Sequence, residues 1–566
     1  MQRKWVHTAA DPAKAKALSA ELNIDPIIGS ILIQRGIETF EGARTFFRPS
    51  LESLHDPFLM KDMDLAVNRL SQALAHQEKI LIYGDYDVDG TTAVSVMYLF
   101  LKKFTQNIEF YIPDRYTEGY GISEKGINHA ASTGCHLVIA LDCGIRANKM
   151  ASLAKKLNVD LIICDHHIPG PELPDALAIL DPKRSDCPYP FKELSGCGVG
   201  FKLLQGFCLQ NTIDLSILYQ YLDLVAVSIG SDIVPIIGEN RILAYFGMRK
   251  LNQDPNLSLA SLIKIAGIKS PISISDVVFY IGPRINAAGR MRHASESVQL
   301  LICQDPEQLE SFSNGLNQVN NQRKDVDQSI TESALQMIQE TIADQAKSTV
   351  LFDPNWHKGI VGIVASRCIE KYYRPTIILT ESNGVATGSA RSVDGFDVHQ
   401  AIGQCADLLI QYGGHAHAAG MSLALTNVPH FQEKFEQVVA STIDLESQTP
   451  KLMVDSIVAL SFINFKNFNI LTQMEPFGPA NMQPVFITEN VRLAKPPTLI
   501  KEKHLKIEIG HSSSEVKFDA IGFGFGDQFA AIGAVETFQI AYHISLNDFR
   551  GNKRLQLIIK DIKYYN

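Results

Sequence analysis

The chain has 566 residues, 46% hydrophobic and 20% charged, with 52 Lys and Arg against 61 Asp and Glu and a formal net charge of −9. Length alone predicts three or four domains of roughly 100–200 residues, and the composition excludes disorder as the main state. The acidic balance excludes a uniformly basic surface for wrapping nucleic acid or anionic lipid, though not a local basic track.

Residues 1–64 alternate helix-like pieces with breakers such as Pro12, Pro26, Gly36, Pro49 and Pro57, which predicts a helical N-terminal segment. Its start, MQRKWVHTAADPAKAKAL, lacks the apolar stretch of a signal peptide, and no run reaches the roughly 18 apolar residues of a membrane helix. The nine cysteines are odd in number, form no CxxC and lie mostly in apolar runs, so they read as reduced thiols acting as small hydrophobes. These features predict a cytoplasmic protein with no membrane association.

From residue 65 to 300, short apolar runs alternate with helical patterns. KILIY (79–83), HLVIALD (136–142), VDLIICD (159–165) and ALAIL (176–180) read as buried strands, and TTAVSVMYLFLKKF (91–104) and ASLAKKLN (151–158) as helices. That alternation is the signature of an α/β domain with a doubly wound parallel sheet. Residues 301–347 carry Leu309, Phe312, Leu316, Val319, Val326 and Ile330 at helical spacing, which predicts a long amphipathic connector. A second, smaller α/β unit follows over 348–446, and SQTP (447–450) reads as a linker. Residues 451–566 are short β-type runs with Gly-rich turns, which fit an all-β barrel.

Carboxylates and imidazoles sit at the predicted strand ends of the first α/β unit. Asp85, Asp87 and Asp89 follow KILIY, Asp142 follows HLVIAL, Asp165-His166-His167 follows VDLIIC, and Asp232 follows the apolar run VAVSI. Ligands of open α/β sheets bind beyond the carboxyl ends of the strands, so these groups converge on one crevice. A lone DxD is ordinarily a solvated turn, a lone Asp a cap, and a lone His a satisfied core residue. Four such pieces together are not explained as caps, because clustered buried carboxylates repel one another unless cations are present. Mixed O/N ligation favours Mn²⁺ and allows Mg²⁺; Zn²⁺ is disfavoured for want of a placed thiolate. Two such ions suit in-line phosphoryl displacement by water.

GDYDVDG, LDCG, DHH and GSDIVP resemble, in order and spacing, the four motifs of the DHH phosphoesterase family. GPRINAAGRM (282–291), GIVGIVASR (359–367), GSARSVDGFDV (388–398), YGGHAHAAG (412–420) and EPFGPANMQP (475–484) extend the likeness to its RecJ-like branch, from about residue 60 to the end. The resemblance implies a DHH domain, a DHHA1 domain and an OB-type barrel. It implies metal ligation by Asp85, Asp87, Asp89, Asp142, His166 and Asp232, with His167 in or beside that shell. Which of the first three acids bind directly stays open, Asp87 being favoured. It also implies phosphate binding by Ser389 and Arg391 and by Gly413, Gly414 and His415, His415 also serving the chemistry. Arg284 and Asn286, expected in a loop, are assigned to phosphate or metal-site support, and Arg290 to structure.

In the barrel, Lys501, Lys503, Arg550, Lys553 and Arg554, with Phe549 interleaved, are candidate strand contacts. Residues 491–566 hold 11 basic and 8 acidic residues, leaving −12 for the remainder. Composition alone favours a solvated hairpin tip there; the resemblance favours a nucleic-acid groove. The implied activity is a single-strand-specific 5′→3′ DNA exonuclease that releases mononucleotides in repair and recombination. A cleft between the α/β domains would exclude duplex. The implied protein is monomeric, with a single-strand-binding protein and a helicase as partners. Two alternatives compete. A small-substrate phosphoesterase would need neither barrel nor connector, and a non-catalytic scaffold would have no reason to keep its acids.

Overall fold

The computed structural model describes residues 3–343, 345–512, 514–549 and 551–565. They form two units: Pro49–Asp325 with Pro476–Met482, and the remainder, built from residues up to Arg48, Val326–Glu475 and Gln483 onward.

The first unit is built on five parallel strands, β1 (Lys79–Gly84), β2 (Ile108–Tyr111), β3 (Cys135–Leu141), β4 (Asp160–Cys164) and β5 (Ala178–Leu180), in the order β2-β1-β3-β4-β5. Alternate residues feed two cores. Ile80, Ile82, Leu137, Ile139 and Ile162 join one; Leu81, Tyr83, Val138, Ala140 and Ile163 join the other. Burial on both faces is why these runs are continuously apolar, and truncating a buried Ile such as Ile139 to Ala would cost about 2–5 kcal/mol. The doubly wound sheet is as the sequence predicts.

Four helices position the site in this unit. α1 (Val88–Leu101) starts at Asp87, whose side chain accepts the Gly90 N–H. α2 (Gly196–Gln210) is capped by Ser195, which accepts the Gly198 N–H. α3 (Leu222–Asp232) contains the VAVSI run and corrects the expectation of a strand there. Every residue from Leu222 to Gly230 is buried, so the helix has no polar stripe to betray its period. α4 (Gly282–Met291) corrects the expected loop around Arg284, Asn286 and Arg290. It continues a π-helical turn over Val277–Ile281, and Pro283 lies in its first turn, where a missing N–H costs nothing. The connector is one 36-residue helix, α5 (Pro306–Thr341).

The second unit holds a mixed sheet of β6 (Thr349–Phe352), β7 (Thr376–Ser382), β8 (Val385–Arg391), β9 (Leu409–His415) and β10 (Ala418–Leu423), in the order β9-β10-β8-β7-β6. β6 and β7 pair in parallel and the others antiparallel. GGHAHAAG is thus the tip of the β9–β10 hairpin. The helix α6 (Val361–Tyr372) begins within GIVGIVASR. Beyond it, seven strands from Ser456–Ile457 to Asn552–Tyr564 form the third sheet of the chain's C-terminal part. The N-terminal segment is not purely helical. Its strand Lys4–His7 pairs in parallel with Lys451–Val454, and the Trp5 Nε1–H donates to Asp561 Oδ2 at 2.7 Å. A strand of four residues is too short to show a period. Among the described residues, no helix is long and apolar enough to cross a membrane.

Candidate metal centre and phosphate-binding sheet

The first-unit candidates do converge. Asp85, Asp87 and Asp142 bring carboxylate oxygens within 4.8 Å of one another; so do Asp89, His166 and Asp232, and so do Asp142, His166 and His167. Asp142 links the first group to the third, and His166 links the second to the third. His166 Nε2 lies 3.2 Å from Asp142 Oδ1, 3.6 Å from Asp232 Oδ2 and 3.8 Å from Asp89 Oδ2.

The local fold explains this crowding. Asp142 directly follows β3 with φ 61°, left-handed backbone that is costly for a residue other than Gly. A Cβ on Gly196 would stand 2.5 Å from Asp142 Oδ1, so only glycine lets α2 approach so closely. Asp89 is held by the start of that helix: Gly196 N–H donates to its Oδ2 at 2.6 Å, and Cys197 N–H and the Ser228 hydroxyl to its Oδ1 at 2.8 and 2.7 Å. Asp232 reaches the cluster from the C-terminal end of α3.

Burial, then neighbouring carboxylates, push Asp85, Asp142 and Asp232 well above the usual carboxylate range, and Asp87 likewise rises. Burial lowers His166. The buried atoms Asp85 Oδ1, Asp142 Oδ1 and both ring nitrogens of His166 have no hydrogen-bond partner among the described residues. Unsatisfied carboxylate and imidazole lone pairs facing one another are the donor set of divalent cations, so the residues fit such ions.

Asp165 plays a different part. Burial alone would raise it, but the hydrogen bond and charge of His167 and the Ile145 N–H bring it down to about 2. His167 Nδ1 lies 2.7 Å from Asp165 Oδ1, which also accepts the His166 and His167 N–H groups; Oδ2 accepts Ile145 N–H at 2.8 Å. Burial works against a charged His167, but Asp165 prevails and raises it. This is the carboxylate–histidine pairing that fixes an imidazole's orientation. The Tyr120 hydroxyl sits 3.1 Å from His167 Nε2.

Sequence reasoning missed Asp181. It follows β5 beside Asp165 on the neighbouring strand, is fully buried, and burial pushes it up to about 7. The signal was present, because LDPKR is one more acid directly after a buried run. The Ser228 and Gly196 contacts to Asp89 had no sequence signal, since they join segments more than 100 residues apart.

Arg284 is buried on α4, with Nε donating to Asn317 Oδ1 at 3.1 Å and Nη1 to the Tyr280 carbonyl at 2.7 Å; Asn286 follows it half-buried on the same helix. In the second unit, His415 pairs with Ala418 and Ala418 with Arg391, while Gly413 pairs with Gly420 and Gly420 with Ser389. His415, Arg391 and Ser389 therefore share one sheet face, His415 and Arg391 two strands or about 10 Å apart. Arg391 Nη1 donates to Ser389 Oγ at 2.7 Å. A Cβ on Gly362 would lie 3.0 Å from both Ser389 Oγ and Arg391 Nη2, so the start of α6 abuts this pair. Gly414, between Gly413 and His415 on the edge strand, has φ 144°. Lys501 and Lys503 are exposed at a turn, and Lys553 and Arg554 are exposed on the strand Asn552–Tyr564. Arg550 lies outside the described residues.

The model of the DHH family N-terminal domain matches residues 79–229, that of the DHHA1 domain 334–441, and that of the RecJ OB domain 454–561. The chain is 37% identical over 562 residues to the single-stranded-DNA-specific exonuclease RecJ of Bacillus subtilis, covering 99% of this chain and 70% of the relative. It is 31% identical to the protein of that name from Salmonella typhimurium, covering 96% and 97% of the two chains. Among solved structures, an exonuclease RecJ bound to manganese is 29% identical, with TM-score 0.61, over 70% of this chain and 97% of that one. RecJ of Thermus thermophilus in complex with Mn²⁺ matches with TM-score 0.86 at 24% identity, over 100% and 80% of the two chains, a likeness of fold.

Proposed function

Since the chain belongs to the RecJ family of single-stranded-DNA-specific exonucleases, we propose that it hydrolyses phosphodiester bonds of single-stranded DNA in a divalent-metal-dependent reaction. It works from the 5′ end and releases mononucleotides. The observation that carries this reading is the set of three carboxylate and imidazole groups chained together through Asp142 and His166.

Asp85, Asp87, Asp89, Asp142, His166 and Asp232 would hold two divalent cations, Mn²⁺ or Mg²⁺, which when bound would supply a lowered water pKa and neutralisation of phosphoryl charge. The chain's own groups do the rest. Asp165 fixes the ring of His167 through Nδ1, leaving Nε2 turned to the Tyr120 hydroxyl. From there His167 can hold a proton beside the reacting phosphate. Asp89, clamped by Gly196, Cys197 and Ser228, keeps the cluster from spreading under its own repulsion. Ser389, Arg391 and His415, with Gly413 and Gly414 giving backbone access, bind nucleic-acid phosphate on the DHHA1 sheet. Arg284, tied to Asn317 and Tyr280, and Asn286 support the phosphate side from α4. Lys501, Lys503, Lys553 and Arg554 line the barrel's path for the strand. The protein acts as a cytoplasmic monomer in repair and recombination, alongside a single-strand-binding protein and a helicase; these last points rest on the family.

The test uses DNA labelled at either end, single- or double-stranded, with Mn²⁺, Mg²⁺ or chelator. Asp142→Ala and Asp232→Ala should each abolish Mn²⁺-dependent nucleotide release while circular dichroism stays that of the parent. Retained release in either variant refutes the site assignment, and release first from the 3′ label refutes the polarity.

A further inference from the structure

The segment that brings Asp232 into the metal centre also brings an apolar residue to its surface. Asp232 ends α3, and Ile233 follows with φ 62° and ψ 28°, left-handed backbone. A β-branched side chain suits that conformation badly, whereas Gly or Asn adopts it at little cost. Ile233 is nevertheless 61% exposed, next to a carboxylate whose Oδ2 lies 3.6 Å from His166 Nε2. A lone exposed apolar residue is ordinary on a protein surface. Exposure combined with strained backbone, directly after a member of the metal centre, is not. Little packing within the unit offsets the strain, and such strain gathers where ligands are held.

The flanking chain keeps Ile233 outward. Val234 and Ile236 are buried. The Asn240 amide donates to the Pro235 carbonyl at 3.1 Å, and Ile236 N–H donates to the Pro479 carbonyl at 2.8 Å. On the other side, a Cβ on Gly282 would stand 2.8 Å from Ser231 Oγ, so the start of α4 abuts the end of α3. Ile233 cannot turn inward without breaking these anchors.

Its place decides what covers it. A partner protein resting on Ile233 would sit over Asp232 and obstruct the centre. Metal ions and phosphate oxygens are strongly hydrated and do not cover an alkyl group. A nucleotide whose phosphate lies at the centre brings one large apolar surface within reach, the face of its base. Building on the reading of the chain as a single-strand exonuclease, we propose that Ile233 packs against the nucleobase beside the scissile phosphate. All four bases have such a face, so the contact grips the strand without reading its sequence.

Ile233→Asn removes the apolar face and tolerates the left-handed backbone. The full chain with Mn²⁺ is given two single strands, one normal and one with tetrahydrofuran abasic sites at its first two nucleotides. The kcat/KM of the first release is measured on each. Ile233→Asn should lower it about fivefold on the normal strand, as covering rather more than half an Ile side chain warrants, and less than about twofold on the abasic strand. Ile233→Val, which keeps an apolar branched side chain, should stay within about twofold of the parent on both. Mn²⁺ affinity by calorimetry, and melting temperature in chelator, should match the parent's. If the Asn variant melts lower, Ile233→Gly takes its place, since glycine is at ease at this φ. Equal losses on the two strands, no loss on the normal strand, or weaker Mn²⁺ binding in both the Asn and Gly variants would overturn the proposal and leave the exonuclease reading standing. Absence of release by the parent from either strand would overturn both.

Discussion

Replacing Asp165 by Asn changes one oxygen into an NH₂ group and removes one charge. Oδ1 keeps its contacts to the His166 and His167 N–H groups, while the new amide meets Ile145 N–H, which donates at 2.8 Å to Oδ2 in the parent. A donor facing a buried donor costs about 1–3 kcal/mol. The loss of charge contributes as well, and the Ile145 bond is part of it. A carboxyl held at about 2 when folded and near 3.9 when unfolded stabilises by about 2.6 kcal/mol at pH 7. With that overlap counted once the loss is roughly 3 kcal/mol, or about 10 °C of melting temperature for a unit of this size. The sign with pH is fixed. A depressed carboxyl contributes above its unfolded value and loses that contribution as pH falls through its folded value, so about half the charge contribution is gone at pH 3. Thermal melts of parent and variant in chelator, from pH 3 to pH 8, measure the gap. Nuclease activity should fall about 10–100-fold because the partner of His167 Nδ1 becomes a neutral amide oxygen in place of a carboxylate. Equal melting at pH 7, or a gap that does not narrow on acidification, would refute the role given to Asp165.

Gly196→Ala places a methyl 2.5 Å from Asp142 Oδ1 and should lower nucleotide release on the order of 10²-fold with weaker Mn²⁺ binding by calorimetry; parental activity would contradict the close approach. Asp181→Asn mimics the protonated acid. Because Asp181 is raised to about 7, its stabilising effect is full below about pH 4 and lost as pH rises through 7, a swing of at most about 4 kcal/mol. In chelator the variant should therefore be the more stable protein at pH 8, and parallel pH–stability curves would dismiss the assignment. Arg367 donates through Nε and Nη2 to both oxygens of buried Asp327, at 2.9 and 2.8 Å. Arg367→Lys breaks that fork and should cost about 1–2 kcal/mol in chemical denaturation.

What the sequence made legible follows physical lines. Strands β1, β3 and β4 could be read because an apolar run ended by an acid leaves little else for the chain to do, and Asp85, Asp142 and Asp165 came with them. Asp232 does lie with Asp89 and His166, but on a helix and not at a strand end. In a helix buried all round, β-branched residues such as Val225 and Val227 look like strand. Arg284 and Asn286 were read as loop because Gly282 and Pro283 punctuate the run, although both suit a helix's first turn. The division of labour among the acids was hidden. Nothing in DHH says that its Asp165 orients an imidazole rather than facing an ion, since that depends on Ile145 and His167 arriving at the same carboxylate.

The pairing of Lys4–His7 with Lys451–Val454 bears on how the chain is made. The two partners are 447 residues apart in synthesis, which at about 5–20 residues per second is roughly 20–90 s of translation. During that interval nearly all of the first unit has emerged and can close its parallel sheet. The opening strand of the second unit meanwhile waits with its edge unpaired. Slowed translation before residue 451 lengthens that exposure, and the nascent chain then most needs a chaperone at Lys4–His7 rather than at the segment being made.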